Sequence, residues 1–499
     1  MGLNFSDDVV DHESSCESLE VDSRLKKLNF LKEQGVDPFV STSNRTHVVQ
    51  DVLTYFETHS NLEDCSDEFT LSGRLMSKRL HGKAFFGDLL DDSGRIQVYA
   101  NVKLIGQELF DLLASFDVGD IVECYGIPFL TRRGELTLKL NSIQLLTKSL
   151  LPLPEKYHGL QDKELRFRKR YLDLIMNQDV KTVFKQRSLI IKLIRNFLDQ
   201  RSFLEVETPV LQHIYGGAAA KPFKTFHHQL GQDLYLRIAL ELHHKRLIVG
   251  GFERIFEIGR VFRNEGVSFK HNPEYTLLEL YQAYADYQDM MELTESLVCL
   301  LVQEMFGSDE ISIGGQVLSF KRPFKRLSLS DAVSETLHVD VHNEAALRSK
   351  VDQLGIQLPK GASKGYLISE LYDFAVEPTL IQPTFIVDHP WEISPLAKRK
   401  KDNDQLVDRF ELIINKMEIA NAFSELNDPI DQKSRFEDQL KAKSAGWEDA
   451  HEMDLDFIEA LKYGMPPTGG LGIGIDRLVM LLTSSSSIRD VLLFPHLKQ

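Results

Sequence analysis

The sequence predicts an α+β protein in which a small β-barrel precedes one large mixed domain. Short alternating strands divided by turns occupy residues 69–146, and the prolines at 152 and 154 end that region. Helical and strand patterns alternate through the rest of the chain. With 499 residues, 42% of them hydrophobic, the chain can bury separate cores for two or three domains.

Residues 1–66 read as an acidic N-terminal extension with helical segments, and little function can be read from them. The chain has no apolar run long enough to span a bilayer and no signal-peptide core, so we expect a cytoplasmic protein. The cysteines, at positions 16, 65, 124 and 299, are too far apart for a structural zinc site or a disulfide framework.

The net charge of −16 argues against a protein that coats nucleic acid non-specifically. It does not exclude a nucleic acid bound at local basic patches, and two basic runs are present, 163–170 and 398–401. The simpler alternative for each run is a solvated surface.

The barrel is predicted from alternation and turn residues. Strands are expected at 70–76, 95–99, 121–125 and 136–140, with turns at Asp92-Ser93-Gly94, Gly119-Asp120 and Arg133-Gly134. This spacing fits a barrel of about five strands. The predicted domains are therefore the extension 1–66, the barrel 67–148, a linker 149–160 and the large domain 161–499.

The large domain opens with a helix over about 180–200 and a strand over 203–209 that ends at proline. A second strand, 254–263, leads through a loop to another periodic run at 275–284. This hairpin carries Arg263 near its end and His271-Asn272 in its loop, which could clamp a phosphate and meet a base edge. An exposed hairpin with salt bridges is the alternative.

Three glutamates, Glu241, Glu279 and Glu425, each stand among apolar neighbours. Carboxylates in such settings are rarely buried without a partner. Each one alone could be a helix-surface charge or the partner of a structural arginine. Together they could surround the ammonium group of a ligand.

Residues 410–421 read as two strands joined by an Asn415-Lys416 turn, which places Glu411 and Glu418 as diagonal neighbours on one face. Two such carboxylates suit Mg²⁺ bridged to phosphates, and a weakly repelling surface pair is the alternative. Strict alternation sends Asn421, Phe423 and Glu425 to the opposite face from Glu418. A bulge or bend is needed if all of them line one site.

Two glycine segments complete the pattern. Residues 471–480 predict a glycine-thinned strand running into a helix with Arg477 in its first turn, and the glycine spacing is not that of a dinucleotide fingerprint. Gly216-Gly217 would let a backbone approach a ligand closely, but alone this signal is weak, and a plain turn is more typical of such a pair.

The combination of these motifs resembles the class II aminoacyl-tRNA synthetases, and specifically the lysyl-tRNA synthetases among them. Residues 203–209, 262–275 and 470–477 match the three motifs of the class, and blocks such as 250–254, 279–287 and 381–385 extend the likeness over about 69–493. The resemblance implies an OB-type barrel for the anticodon, an antiparallel catalytic sheet flanked by helices, and a homodimer through the first motif.

The resemblance also implies roles for residues. The ATP-binding set is Arg263, Glu265, His271, Asn272, Tyr275, Glu411 and Arg477, with Arg263 and Arg477 as the catalytic pair and Glu411 and Glu418 as Mg²⁺ ligands. The lysine pocket comprises Gly217, Glu241, Glu279, Tyr281, Asn421, Phe423 and Glu425. Arg79, Phe86, Gln97 and Glu135 are expected to contact anticodon bases.

Three residues depart from the family pattern: Lys270 replaces an expected Arg, Leu240 an expected Pro and Ala422 an expected Gly. The last two could narrow the pocket or shift a strand, and none removes a charge that the chemistry needs.

The resemblance implies ATP-dependent formation of lysyl-adenylate and transfer of lysine to the 3′ end of tRNA(Lys) for protein synthesis. An aspartyl or asparaginyl enzyme would share the barrel and motifs but would need a cation facing its substrate side chain. A paralogue that ligates a lysine-like amino acid to a protein would lack the barrel. A binding protein without catalysis would have no use for the Glu411–Glu418 pair.

Overall fold

The computed structural model describes residues 8–58, 67–154, 160, 162–359, 361–444 and 453–498, without the side chains of 8–18 and 442–444. Residues 1–7 and 59–66 of the predicted extension and 155–159 of the predicted linker therefore lie outside the described residues, as do Cys65 and the side chain of Cys16. Two compact units make up the chain, Met1–Gln161 and Asp162–Gln499.

The first unit contains a closed five-stranded barrel, as the turn spacing predicts. The strands follow the order β1-β2-β3-β5-β4. Apolar side chains of alternate residues, including Leu71, Phe85 and Val98, fill its interior. Its elements are α1 (Asp8–Glu33), α2 (Val49–Thr58), β1 (Phe69–His81), β2 (Ala84–Leu90), β3 (Arg95–Asn101), α3 (Val102–Ile105), α4 (Gln107–Ser115), β4 (Ile121–Leu130) and β5 (Leu136–Thr147).

The second unit is built on a sheet with helices packed against it. Its first elements are α5 (Lys163–Arg168), α6 (Arg170–Met176), α7 (Gln178–Asp199), β6 (Leu204–Glu205), β7 (Leu211–Gln212), β8 (Lys224–His227), β9 (Gln232–Leu236), α8 (Glu241–Val249), β10 (Arg254–Phe262), β11 (Glu274–Ala283), α9 (Tyr287–Phe306), β12 (Glu310–Ile313), β13 (Gln316–Ser319) and β14 (Lys325–Ser328).

The later elements of this unit are α10 (Leu329–Leu337), α11 (Glu344–Leu354), α12 (Lys364–Ala375), β15 (Thr384–Pro390), β16 (Leu406–Ile414), β17 (Met417–Ser424), α13 (Pro429–Ser444), α14 (Leu455–Lys462), β18 (Thr468–Gly474) and α15 (Ile475–Leu482). Short 3₁₀ turns occupy Glu377–Thr379, Trp391–Ile393 and Ile488–Asp490. Within the described ranges, no helix is both long enough and apolar enough to cross a membrane.

Eight strands form the main sheet, in the order β14-β15-β16-β17-β18-β11-β10-β6. The strands from β15 to β10 are antiparallel, and only the edge strands β14 and β6 pair in parallel. The α+β class, with a barrel ahead of a largely antiparallel sheet, is thus confirmed.

The strand expected at 203–209 is wrong in extent, because only Leu204–Glu205 pairs as a strand. At Thr208 the backbone hydrogen-bonds to a side chain instead of a strand: Thr208 donates its N–H and its hydroxyl to Glu257 Oε2, at 3.0 and 2.8 Å. The Glu257 carboxylate thus takes the place of the backbone carbonyl to which a longer strand would have donated the Thr208 N–H.

Candidate active site

A cavity of about 820 Å³ opens over β11, β17 and β18. Most of the residues expected to bind ATP or lysine line it, although they come from segments far apart in the sequence. Its lining includes Gly217, Glu241, Arg263, Glu265, His271, Asn272, Tyr275, Glu279, Tyr281, Glu418, Asn421, Phe423, Glu425 and Arg477. Glu411 is not among the lining residues. It forms an ion pair with Arg409, which does line the cavity.

The β10–β11 hairpin forms one side of the cavity, with Phe262 opposite Glu274 at the loop end of the ladder. Arg263 follows directly, and its guanidinium carbon lies 5.5 Å from the centre of the Tyr275 ring. Asn272 is buried and donates to the Glu274 carbonyl at 2.7 Å. Within the described part of the chain, its Oδ1 has no hydrogen-bond partner. The hairpin therefore offers a cation, an aromatic face and an unused acceptor.

Arg477 lies in the first turn of α15, as the sequence predicts. Its Nη1 is 3.0 Å from Glu418 Oε2, and its Nη2 is 3.2 Å from His271 Nε2. Burial and the charge of Arg477 lower the pKa of His271. A neutral ring is consequently presented on this side of the cavity.

The β16–β17 hairpin has the predicted register near its turn, where Ile414 pairs with Met417 and Ile413 with Glu418. One residue later the register shifts, so that Leu412 pairs with Ala420 and Glu411 with Asn421. This bulge is the irregularity that the sequence required. It brings Asn421, Phe423 and Glu425 to the face that carries Glu418.

Three buried carboxylates, Glu241, Glu279 and Glu425, converge at the inner end of the cavity. Glu279 accepts from the Leu240 N–H and from the Tyr281 hydroxyl, both at 3.3 Å. Burial, followed by the charge of Glu241, raises the pKa of Glu279 to about 8. The inner end is thus suited to a cation.

Two glycines keep this end of the cavity open. Gly217 has φ +85°, which favours glycine, and a Cβ there would lie 3.0 Å from Ala239 Cβ. A Cβ on Gly470 would fall 1.9 Å from Glu425 Oε1 and 2.8 Å from Tyr281 Cε1. A side chain at position 470 would therefore displace two of the predicted pocket residues.

The three departures from the family pattern lie in different environments. Lys270 Nζ donates to Glu377 Oε1 at 2.8 Å and to the Lys416 carbonyl at 3.0 Å, which ties the hairpin loop to neighbouring segments. Leu240 is buried beside Glu279. Ala422 packs in the hydrophobic core and is not part of the cavity lining, so its methyl group does not narrow the pocket.

Sequence reasoning missed two cations at this site. Lys245 is fully buried and contacts Glu241 and Glu425, and its signal was the i,i+4 spacing from Glu241 on one helix. Arg409 donates to Asn421 Oδ1 at 3.1 Å and to Glu411 Oε1 at 2.5 Å. No local pattern identifies Arg409, because its partners are set by the register of β16 and β17.

Each of the basic runs, 163–170 and 398–401, contains an arginine that makes contacts within the fold. Arg170 of the first run is buried and donates to Asp173 Oδ2 at 2.7 Å and to the Leu492 carbonyl at 3.1 Å. Arg399 of the second run stacks 4.1 Å from the centre of the Trp391 ring. Neither run is simply a solvated surface.

In the barrel unit, the four residues expected to meet bases lie on or beside neighbouring strands. Arg79 pairs with Phe86 across β1 and β2, and Gln97 lies on β3. The Phe86 ring lies 4.8 Å from that of Tyr99, and Gln97 accepts from Thr137 Oγ1 at 3.0 Å. Glu135 is exposed immediately before β5. Phe86 and Gln97 alternate with residues that fill the barrel interior and so lie on its outer side, where Phe86 is half-buried and Gln97 is buried.

Comparison with known proteins agrees with this architecture. The family model for tRNA synthetases class II (D, K and N) matches residues 162–498, and that for the OB-fold nucleic acid binding domain matches 69–146. A lysine–tRNA ligase of Bacillus subtilis (strain 168) is 51% identical over 99% of this chain and 100% of its own length. One of Carboxydothermus hydrogenoformans is 51% identical over 98% and 99%.

A lysine–tRNA ligase of Staphylococcus aureus (strain MRSA252) is 52% identical over 95% of this chain and 98% of its own length. Both the family models and these relatives span the barrel and the sheet domain. The chain therefore belongs to the class II tRNA synthetases of the D, K and N group.

Proposed function

We propose that this protein is a lysine–tRNA ligase, which activates L-lysine with ATP as lysyl-adenylate and transfers it to the 3′ end of tRNA(Lys). The observation that carries the proposal is the convergence of Glu241, Glu279 and Glu425 at the inner end of the cavity. The resident cation Lys245 contacts Glu241 and Glu425 but not Glu279, whose ionised form therefore needs a further cation. An aspartate or asparagine side chain would find no free cation there among the described residues.

The lysine substrate lies, in this proposal, with its side-chain ammonium among the carboxylates. Burying an ammonium group is costly unless acids and hydrogen-bond acceptors surround it. Tyr281 and Asn421 supply further polar atoms, Phe423 supplies an apolar wall, and Gly217 leaves room for the ligand backbone. The α-carboxylate of lysine then points towards Arg263.

ATP occupies the hairpin side of the cavity. Arg263 holds the α-phosphate, and Tyr275 stacks on the adenine. The unused Oδ1 of Asn272 is an acceptor for the adenine amino group, with His271 and Glu265 beside it. Arg477 covers the other face of the base and reaches the γ-phosphate, since a planar guanidinium both stacks and pairs with phosphate.

The carboxylates Glu411 and Glu418 fit a magnesium ion. Burial and the nearby charges of Glu418 and Glu377 raise the pKa of Glu411 to about 7, although Arg409 opposes the shift. The raised pKa means that the ionised form of Glu411 is disfavoured in the ligand-free protein, and a divalent cation bound to hard oxygen donors would stabilise that form. We assign Mg²⁺ to this pair, where it would neutralise phosphate charge when bound with ATP.

The chemistry requires positioning and charge stabilisation but no protein nucleophile. A carboxylate oxygen of lysine attacks the α-phosphorus in line, and pyrophosphate leaves as lysyl-adenylate forms. Arg263 stabilises the charge that develops on the α-phosphoryl oxygens. A hydroxyl of the terminal tRNA ribose then attacks the adenylate carbonyl, AMP leaves, and the ester to tRNA forms.

The acceptor tRNA contacts the barrel through its anticodon. Arg79, Phe86, Gln97 and Glu135 offer stacking and base-edge bonding to splayed bases. In this assignment residues 67–148 bind the anticodon, 149–160 connect, 161–499 catalyse and 1–66 are an extension. The proposal also places the protein in the cytoplasm.

The active form is proposed to be a homodimer through the first motif. Apolar side chains around that motif are exposed in the single chain, with Leu204 at 49%, Val210 at 39% and Leu211 at 47%. A second copy would cover them.

Amino-acid-dependent ATP–pyrophosphate exchange tests the proposal directly. The panel comprises the twenty protein amino acids and ornithine, each with and without Mg²⁺. Lysine alone should give strong exchange, and ornithine should give weaker exchange because one methylene is worth only about 1–3 kcal/mol in a pocket. A response to aspartate or asparagine without one to lysine would overturn the assignment.

A further inference from the structure

Lys245 is an ammonium group built into the inner end of the cavity. It lies on α8, one turn after Glu241, and its side chain is 0% exposed. Its Nζ is 2.5 Å from Glu241 Oε1 and 2.5 Å from Glu425 Oε2. The same atom lies 5.5 Å from the centre of the Phe423 ring. It thus bridges two of the three predicted lysine-binding carboxylates.

This bridging ammonium is charged. Burial by itself would lower the pKa of Lys245, but the charges of Glu241 and Glu425 outweigh burial and raise it. An uncharged amine would leave both buried carboxylates without a cation. Lys245 therefore holds the two carboxylates in place before any ligand binds.

The charges at this end of the cavity match one lysine molecule. With all three carboxylates ionised, the state that a bound ligand ammonium favours, the single internal ammonium leaves two negative charges. Lysine carries two ammonium groups, while its carboxylate is assigned to Arg263 on the other side. Glu279, which contacts Leu240 and Tyr281 rather than Lys245, is the carboxylate free to meet a ligand ammonium.

We infer that Lys245 is a positioning residue for amino-acid selection, which fixes Glu241 and Glu425 and limits the negative charge of the pocket to that of two ligand ammonium groups. The inference deepens the proposed function and rests on it. The competing explanation is that Lys245 only packs α8 against its surroundings. The two explanations differ in what charge-balanced variants should do.

The first experiment compares Lys245→Met with Ile248→Ala by pyrophosphate exchange. Ile248 is on the same helix and is 1% exposed, so its truncation loosens packing without changing charge. For Lys245→Met, kcat/KM for lysine should fall roughly 100-fold or more, the scale of breaking a buried ion pair. The KM for ATP should stay within about 2-fold, because the nucleotide side is untouched. Equal losses in both variants would overturn the inference.

The second experiment restores the charge count. Glu425→Gln alone leaves one negative charge, whereas Lys245→Met with Glu425→Gln leaves two, as in the unmodified protein. The double variant should therefore have a higher kcat/KM for lysine than either single variant. Losses that simply multiply would show independent packing effects and overturn the inference. If Lys245→Met alone does not fold, the comparison of Glu425→Gln with the double variant still decides.

The charge count is also tested on the unmodified protein. Cadaverine, with two ammonium groups, should compete with lysine, and norleucine, with one, should compete at least about 10-fold more weakly. Equal inhibition would contradict the count. Failure of the unmodified protein to respond to lysine would reject the proposed function, whereas normal lysine kinetics in Lys245→Met would reject only this inference.

Discussion

Arg477 and Glu418 form an ion pair across the nucleotide side of the cavity, with Nη1 3.0 Å from Oε2 and also 3.0 Å from the Glu418 carbonyl. Glu418 belongs to the β16–β17 hairpin and Arg477 to α15, so the contact joins two walls of the site. Both residues are assigned to the bound nucleotide and its metal. On the proposed function, ATP binding would exchange this pair for contacts to phosphate and Mg²⁺.

Replacement of Arg477 with Ala should lower ATP–pyrophosphate exchange by about 100-fold or more and raise the KM for ATP. Arg477→Lys should be intermediate, because lysine keeps the charge but loses the planar stacking surface. Arg348→Ala removes an exposed arginine paired with Glu344 in α11 and should leave both values unchanged. An unaltered KM for ATP in Arg477→Ala would contradict the nucleotide assignment.

Replacement of Arg263 with Ala should abolish lysine-dependent exchange, with a loss of about 1,000-fold in kcat, because the charge developing at the α-phosphate loses its cation. Arg254 begins β10, the strand that Arg263 follows, and donates to the Arg201 carbonyl at 2.9 Å. Arg254→Ala is the matched control and should retain exchange. Near-normal exchange in Arg263→Ala would reject the catalytic role.

The sequence predicted the parts of the fold that depend on local periodicity. Turn residues and alternation identified the barrel. A bulge or bend was needed to bring Asn421 to the face of Glu418, and the structure has a register shift between Leu412 and Ile413. Sequence reasoning failed where a distant side chain decides the local structure. The strand after Phe203 ends early because Glu257, which follows it by more than fifty residues, captures the Thr208 N–H.

The candidate site could be assembled from the sequence only through its motifs. The glutamates Glu241, Glu279 and Glu425 were recognisable as acids among apolar neighbours. No local sequence pattern, however, predicts that they converge. Lys245 was missed because a lysine on a helix is usually solvated, and its burial follows from where β17 brings Glu425. Tertiary packing, rather than propensity, makes this lysine part of the pocket.

Leu240 supplies a hydrogen bond that a proline at that position could not. Its N–H donates to Glu279 Oε1 at 3.3 Å. Leu240→Pro removes the donor and should raise the KM for lysine by about 10-fold, the low end for a bond to a charged group. Leu240→Ala keeps the N–H while losing buried apolar surface, so it separates the two effects. Similar KM values for lysine in both variants would show that the bond is unimportant.

Glu279 should lower the stability of the ligand-free protein at high pH, although substrate binding requires its carboxylate. Its pKa is about 8 in the folded protein against an ordinary value of 4.5, so between these values the unfolded chain releases a proton that the folded protein retains. Stability contributed by this group therefore falls as pH rises from 4.5 to 8. Glu279→Gln removes that loss and should stabilise the ligand-free protein at pH 8 by roughly 0.5–2 kcal/mol.

The same substitution should abolish lysine-dependent exchange, because a neutral amide cannot balance a buried ammonium. Thermal unfolding at pH 5 and pH 8, together with exchange assays, measures both effects. Glu292→Gln, at a side chain that is 77% exposed, is the control and should change neither. For the unmodified protein, the KM for lysine should fall as pH rises towards 8 and Glu279 ionises. A less stable Glu279→Gln protein would contradict the stability penalty assigned to buried Glu279, and a variant that still activates lysine would show that Glu279 does not meet the substrate.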